Sequence, residues 1–155
     1  MAPHFRDCTI QASPSTIWKT CIAPMKWEEW DPDVQCLEDV SGDCVNGTTL
    51  VFVMKEGSSS IAKIPVTLRG VQENQSLQYH GQVWGGSMQF DASIEITPIE
   101  DGNTSFVRYT FDMYGVLGSA VNWYNPTPVT EGVEKGLENI KRLSEAAAAT
   151  TAESH

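Results

Sequence analysis

The stretch from Ser13 to Val34, SPSTIWKTCIAPMKWEEWDPDV, restricts the folds open to this chain more than any other. It opens as a helix start, with Ser13 as cap and Pro14 at the first helical position, where a missing N–H costs nothing. Ile17, Trp18, Cys21 and Ile22 then set an apolar stripe on one face of a short helix. Ala23-Pro24 breaks it, and a second short segment carries Trp27 and Trp30 until Asp31-Pro32 ends it. Two small helices with three tryptophans between them make a wall rather than a core. Such a wall must close against something larger.

The rest of the chain supplies a sheet. Residues 4–12 alternate Cys8, Ile10 and Ala12 against Asp7, Thr9 and Gln11, the pattern of a half-buried strand. From Val34 onward the sequence reads as antiparallel strands at 34–40, 48–55, 61–72, 76–84, 87–99 and 104–114. Turn chemistry separates them, at Gly42-Asp43, Asn46-Gly47, Glu56-Gly57, Glu73-Asn74, Gly85-Gly86 and Asp101-Gly102. A hairpin centred on Asp101-Gly102 sets Ile96 opposite Val107, Ile94 opposite Tyr109, Ala92 opposite Phe111 and Phe90 opposite Met113. Its other face pairs Glu95 with Arg108. A hairpin centred on Glu73-Asn74 sets Leu68 opposite Tyr79, Val66 opposite Gly81 and Ile64 opposite Val83, with Arg69, Gln78, Thr67 and His80 outside. Both hairpins give one apolar face and one polar face.

A long helix closes the chain. Thr127 is placed as its cap and Pro128 as its first residue, and Val129, Val133, Gly136, Leu137, Ile140 and Leu143 form one apolar stripe. Residues 146–155, AAAATTAESH, have nothing to bury and read as a disordered tail, leaving one domain over 1–145. The expected fold class is α+β. About seven antiparallel strands curve around the C-terminal helix, the two short helices fall between strands 1 and 2, and a hydrophobic cavity lies between sheet and helix.

Composition excludes several partners. A net charge of −10, with ten Lys and Arg scattered from Arg6 to Arg142, argues against nucleic acid and anionic membrane. No apolar run is long enough to span a bilayer, and the N-terminus lacks a secretory pattern. Cys8, Cys21, Cys36 and Cys44 have no metal-ligand spacing and read as reduced thiols of a cytoplasmic protein. Neither a metal centre nor a phosphate-cradling glycine loop can be assembled, so the expectation is no cofactor. An exposed sheet edge is compatible with a monomer or a homodimer.

The order of elements, with particular residues at its joints, resembles the helix-grip superfamily (SRPBCC), closest to its polyketide cyclase/dehydratase branch. That superfamily also includes START lipid-transfer domains and plant pathogenesis-related allergens. The residues that carry the likeness are S-P-x-x-I-W at the first helix and M-K-W-E-E-W-D-P-D-V at 25–34. With them go G-T-T-L at 47–50, I-T-P-I-E-D-G-N-T at 96–104 and G-V-E-K-G-L-E-N-I-K-R-L at 132–143. The resemblance covers residues 4–145 and implies a pocket for a hydrophobic small molecule. It implies no shared catalytic signature, because the superfamily spans carriers, receptors and enzymes.

Within that frame Tyr79 and Tyr109 are the expected catalytic groups, since a phenol facing an apolar cavity can donate to a ligand carbonyl or act as an acid. Trp27, Trp30, Leu68, Phe90, Ile94, Phe111, Met113, Val133 and Leu137 are the expected ligand-lining residues. Trp123 and Tyr124, flanked by Asn122 and Asn125 in the segment YGVLGSAVNWYNPTP, are expected to form a lid, and Trp84-Gly85-Gly86 a mobile tip at the entrance. Glu28, Glu29 and Asp31 read first as a solvated helix face or cap. A carboxylate pushed into the mouth there would have a raised pKa and could serve as a base. The expected function is cofactor-independent cyclisation, dehydration or rearrangement of an aromatic or polyketide-like molecule. The alternatives are a carrier for a lipid, quinone or other hydrophobic metabolite, and a protein-interaction domain of chaperone-cofactor type.

Overall fold

A computed structural model describes residues 4–56, 62–115 and 127–153. Strand β1 (His4–Ile10) leads to α1 (Pro14–Ile17), which runs straight into a π-helical turn at Trp18–Ile22 and then a 3-10 turn at Trp27–Glu29. Ser13 caps α1 as expected, its Oγ accepting from the Thr16 N–H at 3.2 Å. Six strands follow: β2 (Val34–Glu38), β3 (Thr49–Met54), β4 (Lys63–Gln72), β5 (Ser76–Val83), β6 (Met88–Ile99) and β7 (Thr104–Tyr114). The sheet has seven strands in the order β1-β7-β6-β5-β4-β3-β2, every pair antiparallel. This is the helix-grip α+β fold.

The hairpin registers agree with the turn arithmetic. Ile94 faces Tyr109, Ala92 faces Phe111, Phe90 faces Met113 and Glu95 faces Arg108. The loop between β6 and β7 spans 100–103 rather than two residues. It is centred on the same pair, so the register is unchanged. In the other hairpin Leu68 faces Tyr79 and Val66 faces Gly81, while a bulge between Arg69 and Gln72 bends β4 at Gly70.

The last helix, α2 (Thr127–Glu153), lays Val133, Leu137 and Ile140 on the inner face of the sheet. It also closes the outer edge of β1. Lys141 Nζ donates to the Thr9 carbonyl at 2.8 Å, and the Gln11 N–H donates to Glu145 Oε2 at 2.9 Å. The helix continues to Glu153, beyond the boundary at 145, through residues expected to form a tail. An alanine run needs no buried stripe to stay helical, because alanine has the highest helix propensity, and Ala148 still packs against the core.

One position shows how tightly the inner face is filled. Gly81 lies directly opposite Phe90, and a Cβ on it would meet the Phe90 ring at 2.3 Å. The ring lies across the bare strand, with Ile64 against the same spot at 3.1 Å. Gly81→Ala is therefore expected to destabilise the fold by about 1–3 kcal/mol, the usual cost of overpacking, read as a lower urea midpoint with unchanged slope.

Candidate functional site

The tryptophan wall is anchored by its own polar atoms. Trp27 Nε1 donates to the Ile22 carbonyl at 3.0 Å, and Trp30 Nε1 donates to the Cys21 carbonyl at 2.9 Å. Both acceptors are carbonyls at the end of the π-helical turn, where a helix runs short of its own donors; the Ile22 carbonyl also accepts from the Met25 N–H at 3.3 Å. Asn139 of α2 donates to the Trp30 carbonyl at 3.0 Å, tying the wall to the last helix. Each indole is then almost wholly buried.

Rings from β3, β5, β6 and β7 meet that wall. Trp27 lies 5.2 Å from Tyr79 and 6.0 Å from Phe52, and Trp30 packs edge-on to Tyr109 at 5.9 Å. Phe52, Phe90 and Phe111 form a nearly parallel ladder, with centroids 6.2 and 5.1 Å apart. Gly136 of α2 brings the helix backbone close to this group, since a Cβ there would stand 3.2 Å from the Tyr109 ring. At the end of the ladder Met54, Val83, Met88 and Phe111 remain half-buried, an apolar rim on the inner face.

The polar centre of this interior is a pair of phenols. Tyr79 Oη and Tyr109 Oη are 3.0 Å apart, joined by a hydrogen bond, with both side chains buried. Burial pushes the pKa of each phenol well above its ordinary value, and the negative charge of Asp31 adds to the shift. Both therefore stay protonated at any working pH and serve as donors. Beside them, Asp31 accepts from the Asp33 N–H at 3.0 Å. Its pKa is raised to about 6, mainly by burial and further by Asp33, while the backbone donors of Asp33 and Val34 and the charge of Lys55 pull the other way. Burial raises Asp33 too, against the opposing charges of Lys55 and Lys135.

The structure thus brings together Tyr79, Tyr109, Trp27, Trp30 and Phe90, with Phe111 completing the ladder. Leu68 and Ile94 stand beside the two tyrosines in register, while Val133 and Leu137 come from α2. Met113 is buried next to Phe90. Trp123 and Tyr124, with Asn122 and Asn125, lie outside the described residues. Phe52 belongs to the cluster and was not foreseen. Its signal was the alternation Leu50, Phe52, Met54, but no hairpin fixed which face of β3 looked inward. Asp31 reads from the sequence as a helix-face or cap carboxylate, because no local pattern shows the burial that raises its pKa.

His80 lies on the outer face, as its register required. Its Nδ1 is 2.8 Å from Asp91 Oδ1 and 3.2 Å from the Tyr114 hydroxyl. Clefts of about 520 and 340 Å³ flank it and share Arg69. Trp84 stands exposed on a 3-10 turn, Trp84–Gly86, at the tip of the β5–β6 hairpin. All four cysteines are free thiols, and among the described residues no group of His, Cys, Asp and Glu is placed to hold a metal ion. No helix among them is long and apolar enough to cross a membrane.

Residues 6–145 match the family described as polyketide cyclase / dehydrase and lipid transport. No curated protein sequence matches the chain. Among solved structures, the di-domain ARO/CYC BexL from the BE-7585A biosynthetic pathway is similar with a TM-score of 0.69 at 12% identity, over 94% of this chain and 47% of that one. Ara h 8.0201 gives 0.66 at 15% identity, over 96% and 98%. The Aha1 dimer from Colwellia psychrerythraea gives 0.64 at 19% identity, over 95% and 98%. At such identities the likeness is one of fold.

Proposed function

Because the chain belongs to the polyketide cyclase / dehydrase and lipid transport family, which implies a hydrophobic ligand, we propose that it binds an aromatic or polyketide-like molecule between the sheet and α2 and promotes its cyclisation, dehydration or rearrangement without a cofactor. The observation that carries this reading is the buried Tyr79–Tyr109 pair, two permanent donors set in a wall of aromatic rings with a carboxylate of raised pKa beside them. The ring ladder holds a flat substrate and excludes water. Asp31 takes a proton from carbon next to a ligand carbonyl, and the tyrosine pair donates its unshared hydroxyl hydrogen to the enolate oxygen that forms. The enolate carbon then bonds to a second carbonyl of the same molecule. The resulting alkoxide recovers the proton from Asp31, and loss of water completes a dehydration.

The second reading is a carrier that uses the same interior without chemistry. It is favoured by the mutual hydrogen bond of the tyrosines, which gives them a partner when no ligand is bound.

Native mass spectrometry of the purified chain, followed by denaturing extraction, separates the readings. A cyclised product that accumulates while its linear precursor is consumed supports the enzyme, and a lipid or quinone recovered unchanged supports the carrier. Tyr79→Phe sharpens the distinction: an enzyme loses about 10²-fold in kcat, whereas a carrier changes only in Kd. A chain that binds neither class sinks both readings.

A further inference from the structure

The hydroxyl hydrogens of the tyrosine pair do not balance. Two phenols bring two O–H donors, and the single bond between them at 3.0 Å uses one. The second hydrogen has no acceptor among the described residues, although Tyr79 is 1% exposed and Tyr109 4%. The nearby carbonyls of Ile22 and Cys21 already receive the two indole N–H groups. A buried donor without an acceptor costs about 1–3 kcal/mol, so it rewards a ligand that supplies one.

The charge around the pair limits what that ligand can be. Asp31 and Asp33 act on Tyr109, and Asp31 acts on Tyr79, as negative neighbours. Lys55 and Lys135 are directed at Asp33, and no lysine or arginine is buried among the described residues. An anionic headgroup placed at the tyrosines would lose its water, gain no cation and meet Asp31. A neutral oxygen faces none of these costs.

We infer that the interior site selects neutral ligands with a carbonyl oxygen, which accepts the unshared hydroxyl hydrogen of the Tyr79–Tyr109 pair, and rejects carboxylates of the same shape. The inference deepens the proposed function and rests on its reading of the interior as the ligand site. It separates ketones, quinones and esters from free fatty acids and other anionic lipids, whichever of the enzyme and carrier readings holds.

Three naphthalenes of matched shape test it by calorimetry on the full chain at pH 8: 2-acetylnaphthalene, 2-ethylnaphthalene and 2-naphthoate. The ketone is expected to bind about tenfold tighter than the hydrocarbon, the worth of one hydrogen bond in a dry site, and at least tenfold tighter than the carboxylate. In the Tyr79→Phe/Tyr109→Phe variant, which keeps both rings, the ketone's advantage over the hydrocarbon should vanish. Equal affinity of ketone and hydrocarbon in the unmodified chain overturns the inference and leaves the interior site standing, as does a carboxylate that binds as well as the ketone. The ranking in the unmodified chain is decisive even where the double variant fails to fold. Binding by none of the three overturns the interior site itself, and the inference with it.

Discussion

Trp30→Ala is expected to destabilise the chain by about 4 kcal/mol, lowering the melting temperature by roughly 10 °C. The side chain is 1% exposed and is held on four sides. Its indole N–H donates to the Cys21 carbonyl, its ring lies tilted against Trp27 at 6.0 Å and nearly perpendicular to Tyr109 at 5.9 Å, and Gly136 of α2 lies against it. Removing the ring opens a cavity where the π-helical turn, α2 and β7 converge and leaves the Cys21 carbonyl without this donor. Trp30→Phe keeps most of the ring and loses that hydrogen bond, so it should cost appreciably less. Trp84→Ala serves as the control, because an indole 57% exposed on a hairpin tip should change stability by no more than about 0.5 kcal/mol. Urea unfolding of the three variants measures the differences directly. Should Trp30→Ala and Trp84→Ala lie within 1 kcal/mol of each other, the wall is not anchored as described.

The same residue shows what could be read from the chain alone. That Trp27 and Trp30 formed a wall followed from the breaks at Ala23-Pro24 and Asp31-Pro32, which are local chemistry. The sheet followed as well, because side-chain alternation has period two and a turn centre fixes every pair on both strands. Tyr79 and Tyr109 could therefore be placed on one face from two separate hairpins, and the sheet brings their hydroxyls within 3.0 Å. Their mutual bond could not be foreseen, since it depends on how β5, β6 and β7 lie side by side. The indole bonds to Cys21 and Ile22 were hidden because the π-helical turn that offers those carbonyls has no sequence signature. Phe52 was missed where the turn before β4 did not define a register. The alanines after 145 were misjudged by asking only what they bury, when their backbone preference is enough to extend α2.

Asp31 is the carboxylate whose chemistry the fold changes most, and its titration gives the second large effect. Its carboxyl is raised from 3.8 in the unfolded chain to about 6 in the fold, chiefly by burial. Below about pH 4 both states hold the proton, and the group contributes nothing. Between about pH 4 and 6 only the folded state remains protonated, so stability falls as pH rises through this window. Above pH 6 the folded chain carries the full cost of a half-buried carboxylate, at most about 3 kcal/mol for a shift of this size. Asp31→Asn keeps an oxygen to accept the Asp33 N–H and removes the charge. The variant should therefore be about 1–2 kcal/mol more stable than the parent at pH 8, with the gain disappearing near pH 4.5. Urea midpoints measured from pH 4.5 to 8 give the comparison. Function should move the opposite way. In the enzyme reading the parent's turnover rises through pH 6 as Asp31 becomes a base, and the asparagine variant is slow throughout. A variant destabilised equally at pH 4.5 and 8 would show that Asp31 acts only through its hydrogen bonds to the backbone. A stabilised variant that turns over substrate as fast as the parent would instead remove Asp31 from the chemistry while confirming its electrostatic cost.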